Sequence, residues 1–154
     1  MNYSDRTITD FCLKFCPNPT LAITLTTVSE SRVHHTLITR ERLEKSCCRF
    51  IKRINTRCYS RRQRKKGYSI GAVTAIEGFD GKKHLHAHLA LSAPLGMRED
   101  QFRIIVESEV ANDYWFDNQK VIKKYRDSGW IEYITKLGSE AIAPFCLFRA
   151  FPQG

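Results

Sequence analysis

The stretch YSIGAVTAIEGFDGKKHLHAHLAL, residues 68–91, decides how the chain folds. Tyr68 to Glu77 predicts one strand and His84 to Leu91, which alternates strictly, predicts the next. Asp80-Gly81 between them is a hairpin signal, because that pair tolerates the positive φ values of a tight turn. Period two sends His84, His86 and His88 to one face of the second strand and Leu85, Ala87, Leu89 and Leu91 to the other. The leucine face belongs in a core, so the imidazoles converge on the opposite side. With the turn at Asp80-Gly81, Glu77 stands opposite or diagonal to His84 and His86 and on their face. Two or three imidazoles plus one carboxylate make a divalent-metal set, and its mixed nitrogen and oxygen donors suit Mn²⁺ or Mg²⁺ as well as Zn²⁺.

Working outward, Leu21 to Val28 alternates at period two, which predicts a strand with Leu21, Ile23 and Leu25 facing the core and Thr24 and Thr26 on the other face. Thr39 is an N-cap for a helix whose apolar stripe is Leu43, Cys47, Phe50, Ile51, Ile54 and Cys58. The tail of that helix runs into the basic residues Arg57, Arg61, Arg62, Arg64, Lys65 and Lys66, and Gly67 stops it. Downstream, Pro94 and Gly96 end the histidine strand. Phe102, Ile105, Val106 and Val110 mark a second helix, Tyr114 to Lys124 a further strand, and Asp127 or Ser128 caps a third helix running to about Ala141. This order predicts an α+β fold, an antiparallel sheet with helices on one face and the other face open, of the ferredoxin-like or RRM-like kind.

The 154 residues amount to one domain, and 42% apolar residues exclude intrinsic disorder. No run approaches the roughly 18 consecutive apolar residues that cross a bilayer, and the first residues lack a secretory pattern, so a soluble cytoplasmic protein is expected. The six cysteines are irregularly spaced and expected to be reduced; Cys12 and Cys16 have a spacing that could hold zinc, but no second pair follows. A formal charge of +9 points to a polyanionic partner, nucleic acid or an anionic membrane, since a basic surface releases condensed counterions. On the third helix Ile131, Ile134, Gly138 and Ala141 form the apolar side, while Tyr133 and Lys136 stand together on another.

Three motifs now occur in one order: Ile23-Thr24-Leu25-Thr26, His86-Ala87-His88 followed by Leu89-Ala90-Leu91, and Tyr133-Ile134-Thr135-Lys136. Over roughly Leu21 to Leu137 the chain thereby resembles the HUH endonucleases, in particular the single-tyrosine initiators (Rep proteins) of rolling-circle replication. The resemblance implies that His86 and His88 bind Mn²⁺ or Mg²⁺ with Glu77 completing the set, His84 being an alternative ligand or a DNA contact. It implies Tyr133 as the nucleophile that forms a 5′-phosphotyrosine and Lys136 as its charge-stabilising neighbour. Thr24 and Thr26 of the first motif are then DNA contacts. The basic run from Arg57 to Lys66 reads either as a phosphate-contacting patch or as a solvated helix end, and Tyr59 and Tyr68 beside it either as stacking partners for bases or as packing residues of the domain.

The function so implied is nicking and rejoining of single-stranded or hairpin origin DNA by one catalytic domain. With no helicase domain and no Gly-rich phosphate loop, a host helicase is the expected partner, in a prokaryotic cell carrying a plasmid or phage element. The protein would act as a monomer or weak dimer, with Tyr125 or a second subunit supplying any second cleavage. Two other readings stay open: an HUH transposase or relaxase, and a non-catalytic RRM-like nucleic-acid-binding module.

Overall fold

A computed structural model describes residues 3–28, 37–78, 85–126, 129–136 and 138–153. In chain order it contains α1 (Tyr3–Leu13), β1 (Leu21–Thr27), α2 (Arg40–Cys58), α3 (Arg61–Lys65), β2 (Ala72–Glu77), β3 (His86–Leu91), α4 (Glu99–Ala111), β4 (Phe116–Lys124) and α5 (Gly129–Thr135). Single 3₁₀ turns follow at Ser139–Ala141 and Pro144–Cys146. The strands lie in the order β2-β3-β1-β4 and every neighbouring pair is antiparallel. The β1-α2-β2-β3-α4-β4 succession in that order is the ferredoxin-like arrangement expected from the sequence.

One face of the sheet is built as read. Leu21, Ile23 and Leu25 of β1 and Ala87, Leu89 and Leu91 of β3 meet Leu43, Cys47, Phe50, Ile51 and Ile54 of α2 and Phe102 and Val106 of α4, all fully buried. Thr39 caps α2 by accepting from the Arg42 amide. Arg53 of α2 ties this layer together, reaching Glu109 at 2.9 Å and Asp113 at 3.4 Å. Trp115 and Phe116 are buried at the start of β4, while Tyr114 is exposed.

The opposite face departs from expectation, because α1 and α5 lie over its β2-β3 half. Cys12 and Cys16 pack with Val73, Ala75, Ala90, Ile131 and Ile134, and the hydroxyls of Thr9 and Thr135 meet at 2.9 Å. The open face is therefore confined to the β1-β4 half. There a groove of about 910 Å³ runs between Ala22, Thr24, Val121 and Lys123 of the sheet and Trp130 and Tyr133 of α5.

Three boundaries also differ, each for a local reason. The basic run is not the tail of α2: Tyr59 is extended, and Ser60 starts α3 with a capping box in which Ser60 and Gln63 satisfy each other's backbone amides. Residues 68–71 precede β2 because their amides go elsewhere, Ile70 to the Asn55 side chain and Gly71 to Ser92 Oγ. The last helix stops at Thr135, short of Ala141; Gly138, with φ of 85°, turns the chain into a 3₁₀ turn. The proposed turn Asp80-Gly81, the caps Asp127 and Ser128, Leu137 and His84 lie outside the described residues.

Candidate metal centre

The hairpin register brings the ligands together. β2 and β3 pair with Glu77 opposite His86 and Ala75 opposite His88, so Glu77 is diagonal to His88 and on the imidazole face as expected. Oε2 of Glu77 lies 3.1 Å from Nε2 of His86 and 3.0 Å from Nε2 of His88. One ligand atom from each residue falls within 4.8 Å of the others, and among the described residues no other group of three such side chains converges. Donors about 2.1 Å from one cation and at right angles to each other lie roughly 3.0 Å apart, so both imidazole–carboxylate separations suit a shared ion. Two neutral nitrogens and one anionic oxygen are a donor set for a divalent metal.

The electrostatics agree with that chemistry. Partial burial pulls the Glu77 carboxyl upward, but hydrogen bonds and charge from His88 and His86 outweigh it and hold the acid below its ordinary value. His88 is buried, and burial lowers its pKa; the charges of His86 and Lys136 act in the same direction, against the pull of Glu77. An anionic carboxylate beside an imidazole held neutral is the protonation state a cation requires. The Cys12–Cys16 pair lacks it. Both thiols are fully buried in the α1 layer, where burial pushes them up to about 11 and about 12. Ile8 and Cys12 lie one helical turn apart on α1, and Cys16, just past the helix end, joins them in packing onto the sheet. All six cysteines are thiols in this structure.

Helix α5 sets an aromatic cluster beside the ligands. The ring of Tyr133 meets that of His88 edge to face at 5.7 Å, stacks on Trp130 at 5.4 Å and 13°, and carries Lys136 Nζ 3.7 Å from its centroid. Trp130 also meets His88 at 5.4 Å and donates its indole N–H to the Leu89 carbonyl at 2.9 Å, pinning α5 to the histidine-bearing strand. Tyr133 stays 41% exposed, at the edge of the groove. No protein-family model, curated protein or solved structure matches the chain.

The structure thus gathers Glu77, His86, His88, Tyr133 and Lys136, together with Thr24, whose hydroxyl lies 3.0 Å from Nδ1 of His88. Thr26 is opposite His86 on the same face. The basic run is elsewhere. Arg61, Arg62, Arg64, Lys65 and Lys66 are exposed before β2, whereas Glu77 closes that strand about 17 Å further on at roughly 3.4 Å per residue. Arg57 is engaged with Glu109 at 3.2 Å and Ser108 at 3.1 Å, and Tyr59 and Tyr68 pack edge to face on each other at 5.8 Å. Tyr125 lines the groove with its hydroxyl buried. Trp130 is the site residue that sequence reasoning missed; its place three residues ahead of Tyr133 was the available signal.

Proposed function

We propose that the chain is a metal-dependent endonuclease and ligase for single-stranded DNA, of the HUH initiator kind, in which Tyr133 is the nucleophile. The observation that carries this reading is the edge-to-face contact at 5.7 Å between a half-exposed phenol and the ring of a metal-ligand histidine. A phosphate lying at the mouth of the groove would touch both.

A divalent ion held by Glu77, His86 and His88 supplies Lewis-acid polarisation of the phosphodiester and offsets its charge. The remaining work falls to the chain. Trp130 and His88 fix the plane of the Tyr133 ring, and Lys136 above that ring places a positive charge beside the developing phenolate. The phenolic oxygen bonds to phosphorus as the bond from phosphorus to the 3′ oxygen breaks; the phenolic proton is lost and the leaving oxygen takes one up. The 5′-phosphotyrosine conserves the energy of the broken bond for rejoining. The groove floor mixes Ala22 and Val121 with Thr24 and Lys123, and Trp130 walls it, which suits a strand whose bases stack while its phosphates meet a cation. Origin nicking with unwinding by a host helicase is the biological setting this chemistry fits.

The test is incubation with Mn²⁺ and labelled single-stranded oligonucleotides, resolved on a denaturing gel. A protein-sized adduct that disappears in Tyr133→Phe and with chelator is expected. DNA or RNA binding that survives both, with no adduct, would leave an RRM-like binding module instead. Strand transfer between transposon ends without origin nicking would place the same chemistry in a transposase.

A further inference from the structure

His88 has two ring nitrogens and both are engaged: Nε2 faces Glu77 Oε2 at 3.0 Å, and Nδ1 faces Thr24 Oγ1 at 3.0 Å. A neutral imidazole carries one proton, so the two contacts constrain each other. Without a cation, Nε2 must hold that proton to donate to the carboxylate, and Nδ1 then accepts from the threonine hydroxyl. To ligate a cation, Nε2 must be bare; the proton moves to Nδ1 and needs an acceptor there, because an unpaired buried donor is unfavourable. A hydroxyl can serve in both states by rotating about its C–O bond, which a carbonyl or an ammonium cannot do.

Thr24 is placed for this by the sheet. β1 pairs directly with β3, Thr24 stands opposite His88, and the residue across from Thr24 on the other side, Val121, brings an apolar side chain. Its β-branched side chain has few rotamers, so the hydroxyl is held where the ring needs it. We propose that Thr24 is a positioning residue of the metal centre: its hydroxyl donates to Nδ1 of His88 in the metal-free form, accepts from it in the loaded form, and so selects the tautomer that presents Nε2 to the ion. The inference rests on the metal reading of Glu77, His86 and His88, and gives Thr24 a role other than DNA contact.

The experiment measures Mn²⁺ affinity of the full chain, without DNA, from the electron paramagnetic resonance signal of free Mn²⁺. Thr24→Val and Thr24→Ala, two hydroxyl-free variants of different bulk, are expected to bind about 10- to 100-fold more weakly, and Thr24→Ser within about threefold of wild type. Melting in chelator, run in parallel, identifies any variant that does not fold. Wild-type affinity in a folded hydroxyl-free variant, or a loss in Thr24→Ser as large as that in Thr24→Val, overturns the role of Thr24 while leaving the metal site standing. Absence of Mn²⁺ uptake by the wild-type chain overturns the metal reading, and this inference with it.

Discussion

Replacing Glu77 by Gln keeps the shape of the side chain and removes the one anionic ligand, so it separates metal binding from folding. In the metal-free chain the carboxylate accepts from two imidazoles at 3.1 and 3.0 Å in a partly exposed position, and an amide oxygen can still accept from them. The melting temperature in chelator is therefore expected to move by no more than about 3 °C, the equivalent of roughly 1 kcal/mol. With Mn²⁺ the outcome differs. A ligand at a hundredfold excess over its Kd stabilises the folded state by about 2.7 kcal/mol. Unfolding entropy for a chain of this length is roughly 0.3 kcal/mol/K, so the wild-type Tm should rise by about 8 °C. If losing the charge weakens binding a hundredfold, the same Mn²⁺ concentration stabilises Glu77→Gln by only about 0.4 kcal/mol, and the rise shrinks to about 1 °C. Differential scanning fluorimetry with and without chelator reads both numbers. An equal Mn²⁺-induced rise in wild type and Glu77→Gln would show that the ion binds elsewhere and would refute the assignment.

Two further outcomes follow from local geometry. A Cβ on Gly71 would lie 2.6 Å from Ser92 Oγ and 2.7 Å from the Phe15 carbonyl oxygen, the latter backbone; Gly71→Ala is expected to destabilise by about 1–3 kcal/mol, and an unchanged Tm would contradict the packing of α1's exit against β2. In chelator, His88 and Glu77 both titrate below their ordinary values in the folded chain, so each contributes stability that is present above its unfolded pKa and lost as pH falls through its folded one. Melting temperature should fall from about pH 6.5 downward on account of His88 and further below about pH 4.5 on account of Glu77. His88→Gln should flatten the upper part of the profile and Glu77→Gln the lower; profiles identical to wild type would show that other groups govern the acid limb.

Residues whose position follows from strand periodicity were legible. Period two assigned His86 and His88 to one face and Leu89 and Leu91 to the core, and β1 behaved likewise. Register was legible only in part, since it depends on the turn: a turn at Asp80-Gly81 left Glu77 opposite or diagonal to His84 and His86, and the sheet pairs it with His86. The α1 layer was not legible because Cys12 and Cys16 read first as a possible metal-ligand spacing, whereas both are apolar packing residues at and just beyond the end of α1. The Ser60–Gln63 capping box was visible as a local pattern and overlooked within a run of charge. Trp130 was only half legible: its place three residues ahead of Tyr133 put the two on one side of a helix, but its contact with His88 depends on α5 lying across β3, which nothing local encodes.

That crossing also explains how so short a helix can hold the proposed nucleophile in place. α5 has seven residues, about two turns, and would not persist alone in water. Its placement comes from tertiary contacts at both ends: the Trp130 indole on the Leu89 carbonyl near its start, and Thr135 Oγ1 on Thr9 of α1 at its finish. Ile131 and Ile134 lie buried between these tethers, so Tyr133 is forced to the groove side, next to His88 rather than beneath it. The distance between the phenol and the candidate metal ligands is thus set by β3 and α1 rather than by α5 itself. The nucleophile we propose would have to be held close to the candidate metal ligands and still be reachable by a long polymer. An arrangement in which half the sheet face is roofed and half is open meets both demands at the boundary between the halves, and Tyr133 stands on that boundary.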